Sequence, residues 1–213
     1  MTHIFNRLLI EFKTRGAAGF VRFLALRIVL WRVDVLYETD LRIYVANPPV
    51  APAVPVVLVW RHNLGSEATA QVEAAVLTPE NHAYRQALRG DDHLLAALNS
   101  QGEVTSYGFV LFESFYKRIL TETPSTPMIG NCFTLPAWRG LGYYPRLLVA
   151  TCQHLAIQGH RRAVITCAPD NLASVRGIEK AGFKRVRTVR SLVILTRWIA
   201  WQRSIAAEAT CRS

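Results

Sequence analysis

Residues 129–183 constrain the fold most. They read IGNCFTLPAWRGLGYYPRLLVATCQHLAIQGHRRAVITCAPDNLASVRGIEKAGF, which parses as strand, turn, helix, strand and short helix, with the turn at Arg139-Gly140-Leu141-Gly142. A glycine turn between a strand and a helix aims several backbone N–H groups at one spot. The helix dipole adds partial positive charge there, so the spot suits a phosphate. Gly140 and Gly142 open backbone conformations closed to other residues and let a diphosphate approach closely. Pro145 falls in the first helical turn, where its missing N–H costs nothing. Leu147, Leu148, Cys152, Leu155 and Ala156 then recur at the spacing of a helix that packs on a sheet. Gly159 ends that helix, and Ala163–Cys167 is a short buried-strand run.

These residues resemble the acyl-CoA-binding core of the GNAT N-acetyltransferase superfamily. One family signature is Arg/Gln-x-x-Gly-x-Gly/Ala after a strand ending near proline. Here Pro136 precedes Ala137-Trp138-Arg139-Gly140-Leu141-Gly142-Tyr143-Tyr144; Arg139 and Gly142 match, and Tyr144 stands where the family usually has Gly or Ala. The other signature is Asn-x-x-Ser/Ala followed by Glu-Lys-x-Gly-Phe, matched by Asn171-Leu172-Ala173-Ser174 and Glu179-Lys180-Ala181-Gly182-Phe183. The resemblance is strong over 129–190, weaker over 66–128 and absent over 1–40. It implies an α/β (α+β) domain with a mixed, mostly antiparallel central sheet and helices on both faces. It also implies that two central parallel strands part to admit a pantetheine arm. Acetyl-CoA is the implied cofactor. Phe133, Thr134 and Leu135 would offer it backbone groups, Arg139, Gly140, Leu141, Gly142, Tyr143 and Tyr144 would hold the pyrophosphate, and Asn171 and Ser174 would face it.

Formal net charge is +10 with a sequence pI of about 10.0, so an anion is the natural partner. CoA phosphates or an acidic membrane surface answer that. No zinc-finger spacing, RNA-binding aromatic signature or long Lys/Arg run supports nucleic acid. The cysteines Cys132, Cys152, Cys167 and Cys211 form no CxxC pair, which fits a reduced cytoplasmic setting. The six histidines lack ligand spacing such as HExxH, so no metal is expected.

Residues 4–35 are the second informative region. Ile4, Phe5, Leu8, Leu9 and Phe12, then Phe20, Phe23, Leu24, Ile28 and Trp31, recur at helical spacing. Arg7, Lys13, Arg15, Arg22 and Arg32 lie largely on the other side. The spacing predicts a basic amphipathic helical extension over 1–38 and an acyltransferase domain over 39–213. No uncharged run approaches the roughly 20 residues of a membrane span. Two readings stay open. The helices pack on the sheet or on a second subunit in a homodimer, or they lie on an anionic bilayer at the inner membrane face.

Further along, Leu41–Ala46 and Val54–Trp60 read as strands and 66–88 as helical. His93–Leu98 with Thr105–Phe112 reads as a hairpin, Thr188–Thr196 as a closing strand and Arg197–Arg212 as a terminal helix.

Acyl transfer to an amine needs a held thioester, a base for the amine and a proton for the leaving thiolate. The family often places a tyrosine acid before Glu-Lys-x-Gly-Phe, where this chain has Ile178. It often places a carboxylate on the strand before the turn, where this chain has Asn131 and Cys132. Glu113, after the Gly108–Phe112 strand, is the candidate base; Ser174 and Cys167 are candidates to serve the thiolate. Tyr144 either narrows the space by the pyrophosphate, stacks on the cofactor or packs under the turn. A Tyr-Pro turn with Ile before Glu-Lys resembles GNAT proteins of cell-envelope polysaccharide work. The expectation is therefore an acyl-CoA-dependent N-acyltransferase acting on an amine of a small molecule or an envelope sugar. The alternatives are a non-catalytic CoA- or partner-binding module and acyl transfer from acyl carrier protein.

Overall fold

The computed structural model describes residues 29–46, 55–77, 88, 90–194 and 198–206. Its frame is an eight-stranded sheet in the order β2-β3-β4-β5-β6-β1-β7-β8. The strands are β1 (Val29–Asp40), β2 (Val56–Trp60), β3 (His93–Leu98), β4 (Val104–Leu111), β5 (Met128–Thr134), β6 (Arg162–Cys167), β7 (Lys184–Ile194) and β8 (Trp198–Ala206). Every neighbouring pair is antiparallel except β5 with β6. Five helices accompany them among the described residues: α1 (Arg42–Ala46), α2 (Glu67–Val76), α3 (Phe115–Ile119), α4 (Tyr143–Ile157) and α5 (Leu172–Lys180). The mixed, mostly antiparallel sheet agrees with the expectation.

Alternation along the strands sorts the core into two layers. Val35, Tyr37, Leu95, Ala97, Val110, Ile129 and Ile165 pack under α4 and α5 on one face. Leu36, Leu94, Ala96, Tyr107, Phe109 and Val164 pack with Val72 and Val76 of α2 and Ile119 of α3 on the other. In α4, Leu147, Leu148, Cys152 and Leu155 are fully buried, which is the stripe its sequence spacing set out.

Three elements differ from the sequence reading. Val29–Asp40 is a strand, so residues 29–38 are not helical and the boundary expected after 38 falls inside β1. Its Val29, Val33 and Val35 are β-branched, and its alternation suits a site between β6 and β7 that buries both faces at Val35 and Leu36. The rest of the expected extension, 1–28, lies outside the described residues. Leu41–Ala46 contains a one-turn helix, not a strand. The Asp40 carboxylate accepts from the Arg42 N–H at 3.0 Å, and Leu41 and Tyr44, three apart, are both buried. Trp198–Ala206 is a strand, not a helix. Trp198, Ile199, Trp201 and Ile205 favour extended backbone, and β7 offers a full antiparallel edge. The five-residue α3, capped by the Ser114 hydroxyl accepting from the Tyr116 N–H, had no sequence expectation.

Candidate active site

The parallel pair β5–β6 holds together at only two positions, Met128 with Val164 and Ile129 with Ile165. Beyond them β5 turns away. Asn131 takes a left-handed φ of 49°, a conformation Asn tolerates better than most residues. The β4–β5 register shifts at the same level, between Tyr107 and Phe109. Gly108 permits this bend, because a Cβ there would lie 2.9 Å from Cys132 Sγ. The last residues of β5 thus leave β6, and their edge toward β6 has no strand partner among the described residues.

Past the end of β5, Pro136–Trp138 forms a single 3-10 turn, and Gly140 and Gly142 both have φ of +78° with no atom within 4 Å of where a Cβ would stand. An ordinary side chain would be strained at either position, and the space in front of both is open. Helix α4 begins at Tyr143, so the N–H groups of Tyr143 and Tyr144 have no intrahelical acceptor, and Pro145 contributes none. A cleft of about 610 Å³ opens there, lined by residues of β5, the turn, α4 and α5.

Of the residues singled out in the sequence, the cleft brings together Phe133, Thr134, Arg139, Gly140, Gly142, Tyr143, Tyr144, Asn171 and Ser174. The Arg139 guanidinium lies 5.4 Å from the Phe133 ring centre and donates to the Thr134 carbonyl, which fixes a cation at the mouth. Asn171 caps α5, its Oδ1 accepting from the Ser174 N–H at 3.2 Å. Leu135 is outside the cleft lining; its N–H donates to the Thr105 carbonyl. Leu141 is exposed and also outside it. Glu113 is at the wrong end of the sheet. It follows the end of β4 that pairs with Met128, whereas the cleft lies past Thr134 at the other end of β5. Seven residues of β5 separate the two levels, roughly 20 Å.

Tyr144 is half-buried and packs against the core layer under α4 and α5. Its ring crosses to α5 and covers Gly177, where a Cβ would meet the ring at 2.3 Å. Burial beside Cys132 pushes its hydroxyl pKa up, and the Ser174 side chain nearby opposes that shift. Burial likewise pushes the Cys132 thiol up to about 12 and, with Asp34 and Glu179 nearby, the Cys167 thiol up to about 11. Neither sulfur is a thiolate at neutral pH, so neither acts as a nucleophile.

The sequence reading missed Cys132, Trp138, Arg176, Gly177 and Lys180 as lining. Gly177 had a signal: a glycine inside a helix costs about 1 kcal/mol against alanine and asks for a reason. Arg176 and Lys180, four apart on α5, add two cations to the wall. Asp34, which does not line the cleft, also drew no sequence expectation. It is 5% exposed, accepts from Arg32 at 3.1 and 3.2 Å, and couples electrostatically to Cys167 at the carboxyl end of β6. No group of three or more potential metal ligands occurs among the described residues.

The acetyltransferase (GNAT) domain model matches residues 55–184. The chain belongs to the GNAT acetyltransferase family. Among solved structures it is similar to a GNAT-family acetyltransferase from Colwellia psychrerythraea, with 17% identity and TM-score 0.50 over 78% of this chain and 59% of that one. A Drosophila protein matches with 13% identity and TM-score 0.52 over 88% and 58%. A GCN5-related N-acetyltransferase from Sphaerobacter thermophilus matches with 17% identity and TM-score 0.49 over 90% and 58%. At these identities the likeness to the first two is one of fold. The match spans about six-tenths of the length of these structures. No curated protein matches the chain.

Proposed function

We propose that the chain is an acyl-CoA-dependent N-acyltransferase, with acetyl-CoA as donor and an amine of a small molecule or envelope sugar as acceptor. The carrying observation is the parting of β5 from β6 beside a helix N-terminus cradled by two left-handed glycines. The open space before Gly140 and Gly142 and the cations Arg139, Arg176 and Lys180 fit a diphosphate-bearing group. The N–H groups of Tyr143 and Tyr144 would hold the diphosphate, and the unpaired β5 edge from Cys132 to Thr134 would hold the pantetheine amides. Bound acyl-CoA supplies an activated acyl group as a thioester open to attack by an amine.

The chain's own groups supply the rest. Tyr144 keeps its proton at neutral pH, and with Ser174 it lines the cleft as a donor toward a leaving sulfur. Asp34 replaces Glu113 as the carboxylate assigned to the acceptor amine. It lies by the carboxyl end of β6, and Arg32 orients it. Positioning carries most of such a transfer, so Tyr144→Phe and Asp34→Asn each lower kcat about tenfold and leave the Kd for CoA unchanged. Steady-state rates over an amine panel, with CoA titrations beside them, measure both. Unchanged kcat in either variant removes that residue's role.

The anion site is tested by a pair of variants of nearly equal shape. Asn and Asp both tolerate a left-handed φ, so Gly142→Asn and Gly142→Asp differ in charge alone. The aspartate weakens CoA binding by calorimetry about tenfold relative to the asparagine, because its charge sits against the diphosphate. Equal affinities dissociate the turn from CoA. A chain that binds CoA but turns over no amine is the non-catalytic module. Turnover with acyl carrier protein and not with acetyl-CoA identifies the third alternative.

A further inference from the structure

One sheet face is built for contact and has none among the described residues. Strand β1 runs past the carboxyl end of β6, since Val35 pairs with Cys167 and Val29–Asp34 lie beyond it. Together with the matching halves of β7 and β8 they form a three-stranded wing. On the α4–α5 side of that wing the register aligns Trp31 with Leu192 and Trp201, Val33 with Arg190 and Arg203, and Val35 with Thr188 and Ile205. Trp31 is 59% exposed, and Trp201 and Ile205 are each 41% exposed. The two indoles stack, ring centres 5.4 Å apart and planes within 13°, with Leu192 between them in the register. Arg190 and Arg203 are exposed cross-strand partners, and neither makes an ion pair or hydrogen bond among the described residues.

Charge decides what covers this face. Neither β7 nor β8 contains an acid, and the acids of β1, Asp34, Glu38 and Asp40, alternate onto the opposite face. A second copy docked face to face would bring arginine against arginine, since a two-fold interface sets a patch against itself. Residues 1–28, which join the wing at Val29, carry Arg7, Lys13, Arg15, Arg22 and Arg27 against the single acid Glu11, so they do not complement it either. Both the wing and that segment combine aromatic or aliphatic groups with an excess of cations. An anionic bilayer matches both, with phosphates for the arginines and an interfacial layer for the indoles.

We infer that the Trp31–Trp201 face, with Arg190 and Arg203, docks the protein on an anionic lipid surface. This holds whether or not the cleft transfers an acyl group. The test is flotation of the full chain with vesicles of phosphatidylcholine alone and of phosphatidylcholine with phosphatidylglycerol. The chain floats with the anionic vesicles only, and less as salt rises. Arg190→Gln/Arg203→Gln weakens partition about twentyfold, near fivefold for each charge. Trp31→Ser/Trp201→Ser weakens it further, with circular dichroism and CoA affinity unchanged to show an intact fold. Three results overturn the assignment. Flotation equal in all variants places the contact elsewhere. A dimer by light scattering that the tryptophan variant dissolves makes the face a self-interface. Retention of acidic acyl carrier protein without vesicle binding makes the partner a protein.

Discussion

Gly177→Ala lowers stability by about 2 kcal/mol in the native background and raises it by up to about 1 kcal/mol when Tyr144 is also alanine. Alanine is the better helix former by roughly 1 kcal/mol, so an exposed glycine in α5 would gain from the change. Gly177 is not such a site. The added methyl would stand 2.3 Å from the Cδ1 and 2.7 Å from the Cε1 of the Tyr144 ring. Those atoms belong to a ring packed against the core layer that includes Leu147, Leu148 and Ile178, so a small rotation does not free it. Overpacking of this kind costs about 1–3 kcal/mol. Removing the ring removes the clash and leaves only the propensity term. Urea denaturation of the two single variants and the double variant reads the coupling directly. The single Gly177→Ala also loses CoA affinity, because the displaced ring enters the cleft that both residues line. Additive effects would mean that α5 and the first turn of α4 are not locked together by this contact.

That contact marks the limit of what the sequence discloses. Gly140 and Gly142 announce themselves, since two glycines between strand and helix have few other uses, and both take the left-handed φ that the turn requires. The α4 stripe is equally plain, because Leu147, Leu148, Cys152 and Leu155 follow helical period. Tyr144 departs from the family pattern, but its partner is 33 positions away on another helix. Only the packing of α4 on α5 reveals that Tyr144 and Gly177 are complementary.

The errors have related causes. Trp31 follows Ile28 at helical spacing, and nothing local says that the period changes from 3.6 to 2 at Val29. The answer is set by β6 and β7, which lie more than 120 positions downstream and leave a slot between them. Trp198–Ala206 fits either period, and the available edge of β7 decides. Glu113 fails for a directional reason. Strands β4 and β5 are antiparallel, so the end of β4 is beside the start of β5 and remote from its carboxyl end. Asp34 was hidden by the same misreading that made its segment helical.

Acidification from about pH 7 to about pH 4.5 removes roughly 2 kcal/mol of stability through His93, beyond what carboxylate titration removes. His93 is 1% exposed, and its ring is boxed by Trp60, His154 and Phe112 at centroid distances of 5.3, 5.3 and 6.2 Å. Burial drives its pKa from 6.5 down to about 4, against the opposing pull of the Asp91 carbonyl 3.0 Å from Nδ1; His154 and His160 add repulsion. Both neighbours are themselves pushed down by burial and by nearby positive groups, His160 among them for His154 and Lys117 for His160. The Nε2 atoms of His93 and His154 are buried without a hydrogen-bond partner, so neither has an acceptor waiting for a proton. With the folded value below the unfolded one, the unfolded chain binds the proton first. Stability is therefore unaffected above about pH 6.5, falls as pH drops from there, and levels off below about pH 4. One unit of pKa difference is worth about 1.4 kcal/mol, so the full loss from this ring is about 3 kcal/mol. Denaturation curves at the two pH values, repeated with His93→Leu, separate the imidazole from the acids. A pH dependence unchanged by that substitution would show that the ring is not held uncharged by its apolar box.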